Sequence, residues 1–249
     1  MYTIHDFHQM KRTQLLPAEV VEQITYISKK IGINQLQPEF KVEKVYNVPQ
    51  QITILLNKLT EDSFKSVQDK IIQLIDKNIE DSKEISVVIF NIIRMNSFYG
   101  KLYAKLYFSF VQKWPNFMDF VQEQFRQHLL DLETIQIVSS SNYEEFCKCN
   151  ELNDKYKTFS QFIVHLTLQK VVSIDGLNTL IQKLIDMLYV LKDSDRKLVM
   201  DEIVEHLYLC IIISKPIHKQ LNFEKSKLNM TGISNKVLFR LMDIMDLLK

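Results

Sequence analysis

Residues 54 to 71 read "ILLNKLTEDSFKSVQDKI", and the fold turns on how this stretch is read. Apolar residues on both sides of "LTEDSF" recur at helical rather than alternating spacing. Between them lie the marks of one helix stopping and another starting. Thr60 can cap a helix N-terminus, Glu61 and Asp62 sit where the helix dipole favours acid, and Leu59 with Phe64 has the spacing of a hydrophobic staple. Pro49 opens the preceding helix, over about 50–58, and the following one covers about 61–76. Two helices joined by a tight turn form a hairpin, the repeating unit of a helical stack.

The same punctuation recurs along the chain. "EDSKE" starts a helix that runs to about Met95, with Asp81 and Glu84 spaced as a capping box, and another from about 99 is stopped near 113 by Trp114 and Pro115. Further helices are predicted near 116–131, 143–153, 157–172, 177–192, 195–213, 217–228 and 235–248, with joints at "SSSN", "SIDG", "KDSD", "SKP" and "MTGIS". With only 4 Gly and 5 Pro in 249 residues, the chain cannot supply the turns of a sandwich or barrel, nor a glycine-rich phosphate loop. Helices that each carry one apolar stripe must stack in antiparallel pairs. The expected fold is therefore all-α, a HEAT-type α-solenoid of about five antiparallel helix pairs over residues 47–249. Residues 1–46 read as an N-terminal arm with amphipathic stretches at about 4–12 and 17–31, followed by extended chain in "INQLQPEFKVEKVYNVP".

Bulk charge and residue usage narrow the function classes. A net charge of +1 creates no global field toward nucleic acid or anionic membranes. Cys147, Cys149 and Cys210 lack disulfide spacing, the first residues lack a signal-peptide core, and the longest apolar run, Leu207 to Ile213, is too short to span a bilayer. A soluble, intracellular, non-membrane protein is expected. His5, His8, His128, His165, His206 and His218 are scattered without a metal-binding motif, and the thiols of "CKC" at 147–149 point to different sides of a helix. No catalytic residue, metal ligand or cofactor is assigned, and the expectation is a non-enzyme.

The last helix, "SNKVLFRLMDIMDLLK" at 234–249, poses a charge problem. Val237, Leu238, Leu241, Ile244, Met245 and Leu248 form one stripe for the core, Ser234 is an N-cap, and Gly232 lets the chain turn in. Phe239, Arg240, Met242, Asp243 and Asp246 are left off the stripe, and the two aspartates lie where the dipole is negative, each costing about 0.3–1 kcal/mol unless a cation answers them. Arg240 and Asp243 form an i, i+3 pair; beyond that, basic groups on the neighbouring helix pair or on another molecule are expected.

The pattern S-x-basic-V-x-F-x-L-x-D-I-x-D-L in that helix resembles the closing helix of the middle domain of eukaryotic translation initiation factor 4 gamma, a five-pair HEAT domain. Four other segments agree in order. "LNKLT" within 54–71 resembles the family's opening hairpin. "VVIFNIIRMNSFYGKLYAKL" (87–106) is similar to its second pair, and "KYKTFSQFIVHLTLQKVVS" (155–173) looks like the helix that in the family reads N-x-x-F-I-G-E-L-F. "QLNFEKSKLNM" (220–230) resembles the segment before the final helix. Val164 and His165 stand where the family commonly has Gly-Glu, and Thr167 replaces an aromatic.

The resemblance implies a cytoplasmic translation-initiation scaffold that holds a DEAD-box RNA helicase, of the initiation factor 4A type, in a productive state. The candidate helicase-binding residues are Asn57, Lys58, His165, Gln169, Lys170, Phe239, Arg240, Asp243 and Asp246. A second implied partner is a cap-binding protein of the initiation factor 4E type, which the family holds by Y-x-x-x-x-L-hydrophobic. Here Tyr2, Phe7 and His8 occupy those positions, with Phe for Leu and His for the hydrophobe. "KPIHKQLNFEKSK" (215–227) suggests contact with mRNA through Lys215, Lys219, Lys225 and Lys227, and the alternative reading is an RNA-binding solenoid or an adaptor in mRNA decay or processing. The chain is expected to be a monomer on its own. Compact stand-alone copies of this domain occur in large cytoplasmic DNA viruses, and the Ile, Lys and Asn richness suits an AT-rich genome.

Overall fold

The computed structural model describes residues 18–30 and 46–249. The chain divides into two units, Met1–Asn47 and Val48–Lys249. In the first, α1 (Ala18–Lys30) has Glu19 in its first turn and Lys29 and Lys30 in its last, the charge order that the dipole favours. The amphipathic stretch at 4–12, the extended stretch to 45, and Tyr2, Phe7 and His8 lie outside the described residues.

The second unit is all-α, with no strand among the described residues: α2 (Val48–Leu56), α3 (Phe64–Lys77), α4 (Ser82–Ile93), α5 (Gly100–Lys113), α6 (Asn116–Asp131), α7 (Tyr143–Leu168), α8 (Ile174–Leu191), α9 (Lys197–Ile213) and α10 (Asn235–Leu247). Packing follows two rows. Helix α2 lies on α4 and α4 on α6, while α3 lies on α5, α5 on α7 and α7 on α9; within pairs, α2 meets α3, α6 meets α7 and α8 meets α9. Contacts to the next helix and to the next but one define a solenoid-like stack. No helix is long and apolar enough to cross a membrane among the described residues.

The deciding stretch forms its hairpin, with one shift. Thr60 Oγ1 accepts from the Ser63 amide at 3.2 Å and Ser63 Oγ accepts from the Thr60 amide at 2.8 Å, a reciprocal capping arrangement that encloses a turn, so α3 begins at Phe64 rather than 61. Leu59 and Phe64 are both buried, as the staple spacing requires. The capping box at Asp81 and Glu84 does not form, since Asp81 makes no side-chain cap bond at the start of α4.

Two helix boundaries also differ. The predicted joint at 153–157 is absent, and α7 runs unbroken for 26 residues. Its polar residues are satisfied without a turn: Asn153, buried, donates to the Gln136 carbonyl at 2.8 Å, and Lys157 reaches Glu202 on α9 at 2.7 Å. The predicted helix at 217–228 is instead two short 3-10 turns, Lys215–Gln220 and Lys225–Leu228. His218 explains part of this. Its ring nitrogens sit 2.7 Å from the Ile211 carbonyl and 3.0 Å from the Leu247 carbonyl, which ties the chain across the C-terminal ends of α9 and α10. The fifth unit of the stack is thus one helix preceded by turns.

The core between α4 and α7 is aromatic. Phe90 of α4 stands 5.1 Å from Tyr107 of α5 and 5.9 Å from Phe159 of α7, centroid to centroid, and Phe117 of α6 is 5.9 Å from Tyr107. The Tyr107 hydroxyl, fully buried, donates to the Phe117 carbonyl at 3.0 Å, and burial raises its pKa.

Candidate functional site

Helix α10 closes the stack. Gly232, at φ +76°, turns the chain, and Ser234 Oγ accepts from the Val237 amide at 3.3 Å as the N-cap. Val237, Leu241 and Ile244 are buried against the body, and α10 packs on α9. The predicted core stripe is narrower than expected, because Leu238 and Met245 are exposed. They join Phe239 (61 % exposed) and Met242 on an outer apolar strip at i, i+1, i+4 and i+7. A capping helix in a repeat array ordinarily carries a polar outer face.

Arg240 is committed to the fold rather than free on that strip. Its Nε and Nη2 donate to the two carboxylate oxygens of Glu205 on α9 at 2.8 and 3.0 Å, and its guanidinium lies 4.0 Å from the Tyr208 ring centroid. The Glu205 hydrogen bonds hold its pKa above the ordinary value. Asp243 meets Arg240 Nη1 at 3.3 Å and Asp246 meets Lys249 at 2.6 Å, so the cations that answer the aspartates come from their own helix and its end, not from the neighbouring pair. Such exposed i, i+3 pairs contribute about 0.2–0.5 kcal/mol each. Both carboxylates keep most of their surface in water.

A second group ends α7. The amide of Val171 donates to the Leu166 carbonyl and that of Lys170 to the Thr167 carbonyl, both at 2.9 Å, a Schellman close with Lys170 at the left-handed position, φ +62°. That position ordinarily takes glycine, and a lysine there stores strain of about 1 kcal/mol. Lys170 is exposed, Gln169 half-buried. His165 is half-buried rather than on the surface as expected. Its ring packs on the turn into α5: a Cβ built on Gly100 would stand 3.0 Å from His165 Cδ2. Burial, then the nearby Lys101 charge, lowers the His165 pKa.

Asn57 and Lys58 are exposed at the end of α2, where the Lys58 carbonyl accepts from Ser63 Oγ at 2.7 Å. Helix α2 packs on α3 and α4, and α10 on α9, so the candidate helicase-binding residues fall at three separate stations along the stack rather than in one cluster. Of the four candidate RNA-binding lysines, Lys215, Lys219 and Lys225 are exposed, but Lys227 is not available. Asp186 at 2.7 Å and Glu224 at 2.5 Å hold it, and these bonds raise its pKa.

The structure also contains a buried polar layer that the scattered histidines did not reveal. His128 (α6) and His206 (α9) are fully buried. His128 Nε2 is 2.8 Å from Ser160 Oγ of α7, while His128 Nδ1 and both His206 ring nitrogens have no hydrogen-bond partner among the described residues. Burial, with His206 and Arg94 adding positive field, pushes the His128 pKa down to about 3. His206 lies 3.7 Å from Glu202, too long for a good hydrogen bond, whereas Lys157 is at 2.7 Å from the same oxygen. Beside His206 and Lys157, the Glu202 carboxyl is held at about 2. Among the described residues no group of three or more His, Cys, Asp or Glu side chains is placed to hold a metal ion. Cys147 is exposed, while Cys149 and Cys210 are buried, and desolvation pushes the Cys210 thiol up to about 12.

Compared with family models, curated proteins and solved structures, the chain matches none.

Proposed function

We propose that this protein is a translation-initiation scaffold of the initiation factor 4 gamma middle-domain kind, which binds a DEAD-box RNA helicase of the initiation factor 4A type and raises its ATP turnover. The observation that carries the reading is the ordered set of sequence segments at 54–71, 87–106, 155–173 and 220–249. The all-α stack is compatible with it. Spaced stations also suit a clamp better than a catalytic cleft would, because a scaffold that holds a two-lobed enzyme must touch it at separated points. The exposed contacts are Asn57, Lys58, Lys170, Phe239, Asp243 and Asp246, while His165 and Arg240 position the surfaces around them. Tyr2, Phe7 and His8 are the candidate contact for a cap-binding protein.

The test is the RNA-dependent ATPase rate of an initiation-type DEAD-box helicase as this protein is titrated in. Saturable stimulation is expected, and a double variant Asp243→Lys, Asp246→Lys should weaken it at least tenfold. These aspartates make only exposed same-helix pairs, so melting should stay within about 0.5 kcal/mol of the parent. Failure of the folded parent protein to stimulate or bind the helicase would remove the proposal.

A further inference from the structure

A pocket of about 360 Å³ opens between α8 and α9, away from the stations assigned above, with the loop after α6 as its third wall. Its floor is apolar. Ile135 and Ile203 are fully buried and Leu191 and Val199 nearly so, while Val190 lines the lip and is 75 % exposed. The charged groups around the mouth are Glu133, Lys183, Asp186 and Arg196. Three of the four are neutralised in place: Lys183 pairs with Glu133, and Asp186 with Lys227 at 2.7 Å.

Arg196 is the exception. Among the described residues it makes no ion pair, and its Nη2 donates to the Ile135 carbonyl at 3.0 Å, which fixes the guanidinium at the mouth and uses one of its five donor hydrogens. Among the described residues, the mouth therefore carries one unmatched positive charge beside an apolar floor. An apolar or cationic occupant would strip water from the guanidinium without replacing it and a neutral amide would accept hydrogen bonds without matching the charge, whereas a carboxylate would accept two parallel hydrogen bonds and match it. Two apolar residues outside the floor are largely exposed, Val190 at the lip and Leu198, which precedes Val199 in α9, and an occupant confined to the pocket would leave them in water.

We propose that this pocket is a docking site for a partner peptide that seats one large apolar side chain on the Ile135–Leu191–Val199–Ile203 floor and sets a neighbouring carboxylate against Arg196. Backbone running past the pocket covers Val190 and Leu198. The site is independent of the helicase reading.

The probes are fluorescein-labelled twelve-residue peptides on a Gly/Ser frame, each with a central Leu, Phe or Trp flanked by Glu, and the same frames with Gln or Lys in place of Glu. Fluorescence polarisation with the 249-residue chain should show saturable binding of at least one Glu-flanked peptide, at least tenfold weaker binding of its Gln counterpart, and none of the Lys form. Arg196→Gln should weaken the Glu peptide at least fivefold and erase its advantage over Gln. Val190→Asp, at an exposed position, should abolish binding with melting unchanged. Absence of binding by every Glu-flanked peptide overturns the proposal, as does binding indifferent to both substitutions. Octanoate shifting the methyl NMR signals of Val190 and Val199 while no peptide binds would also overturn it, in favour of a small-acid site.

Discussion

From α4 to α7 the interior sets a cluster of rings among its aliphatic chains; from α8 to α10 it is aliphatic without aromatic rings. Every buried Phe and Tyr among the described residues lies at or before Phe162, and the interior from Leu177 onward is Leu, Ile, Val and Met with Cys210, His206 and Ser214. Aromatic packing is directional, since edges seek faces, and the Tyr107 hydroxyl bonded to the Phe117 carbonyl fixes α5 against α6 at one register. Aliphatic packing is less demanding of angle. The unit that lacks a full helix pair, two 3-10 turns followed by α10, falls on the aliphatic side, and the pocket between α8 and α9 takes Glu133 and Ile135 from the other side as its third wall. Short 3-10 turns also interrupt the aromatic side, at Ser97–Tyr99 and Leu132–Thr134, so the halves differ in the chemistry of their cores rather than in the presence of irregular turns.

The sharpest way to break this comparison is to remove a ring. Phe117→Ala should cost about 3–5 kcal/mol in urea unfolding, and Phe117→Leu should still cost clearly more than Leu184→Met, a swap of similar volume expected to stay below about 1.5 kcal/mol. Equal costs for the last two would dissolve the distinction between the halves.

Next in size is acid. His128 titrates at about 3 in the folded chain but near 6.5 when unfolded, so between those values the unfolded state binds more protons. Stability is full above about pH 6.5 and declines as the pH falls, by about 2 kcal/mol at pH 5 from this group alone. His206, also shifted down, acts in the same direction. Urea midpoints measured from pH 7.5 to 5 should show the decline, and His128→Leu should flatten it; an unchanged slope would mean the ring is not buried as described.

The smallest effect lies at the seam between the halves. Lys170→Gly should raise stability by about 0.5–1 kcal/mol, because glycine adopts the left-handed Schellman position without strain. A thermal melt that falls instead would show that the Lys170 side chain makes a stabilising contact outweighing its backbone cost.

The helical layout was legible wherever a stop and a start stood together, as at Leu59–Phe64, Trp114–Pro115 and Gly232–Ser234. It failed where polarity served as a proxy for a turn. "NDKY" at 153–156 looked like a joint, yet Asn153 spends its amide on Gln136 inside one continuous helix. It failed again at 217–228, where local spacing was helical but His218 reaches two distant carbonyls that no local pattern encodes. Arg240 was read as a same-helix partner, but its stronger bond to Glu205 lies 35 residues upstream. The buried pair His128 and His206 and the unmatched Arg196 were invisible for the same reason: a lone polar residue acquires meaning only from neighbours supplied by other helices.

The close passage of Gly100 beneath the His165 ring sets an order on how this chain can change. Alanine at 100 would meet the ring at 3.0 Å, whereas a smaller residue at 165 first clears the space. The favoured order is therefore relief first: the ring at 165 shifts by a few tenths of an ångström or gives way to a smaller residue before a methyl group settles at 100, and the return path runs in the opposite order, glycine first and ring second.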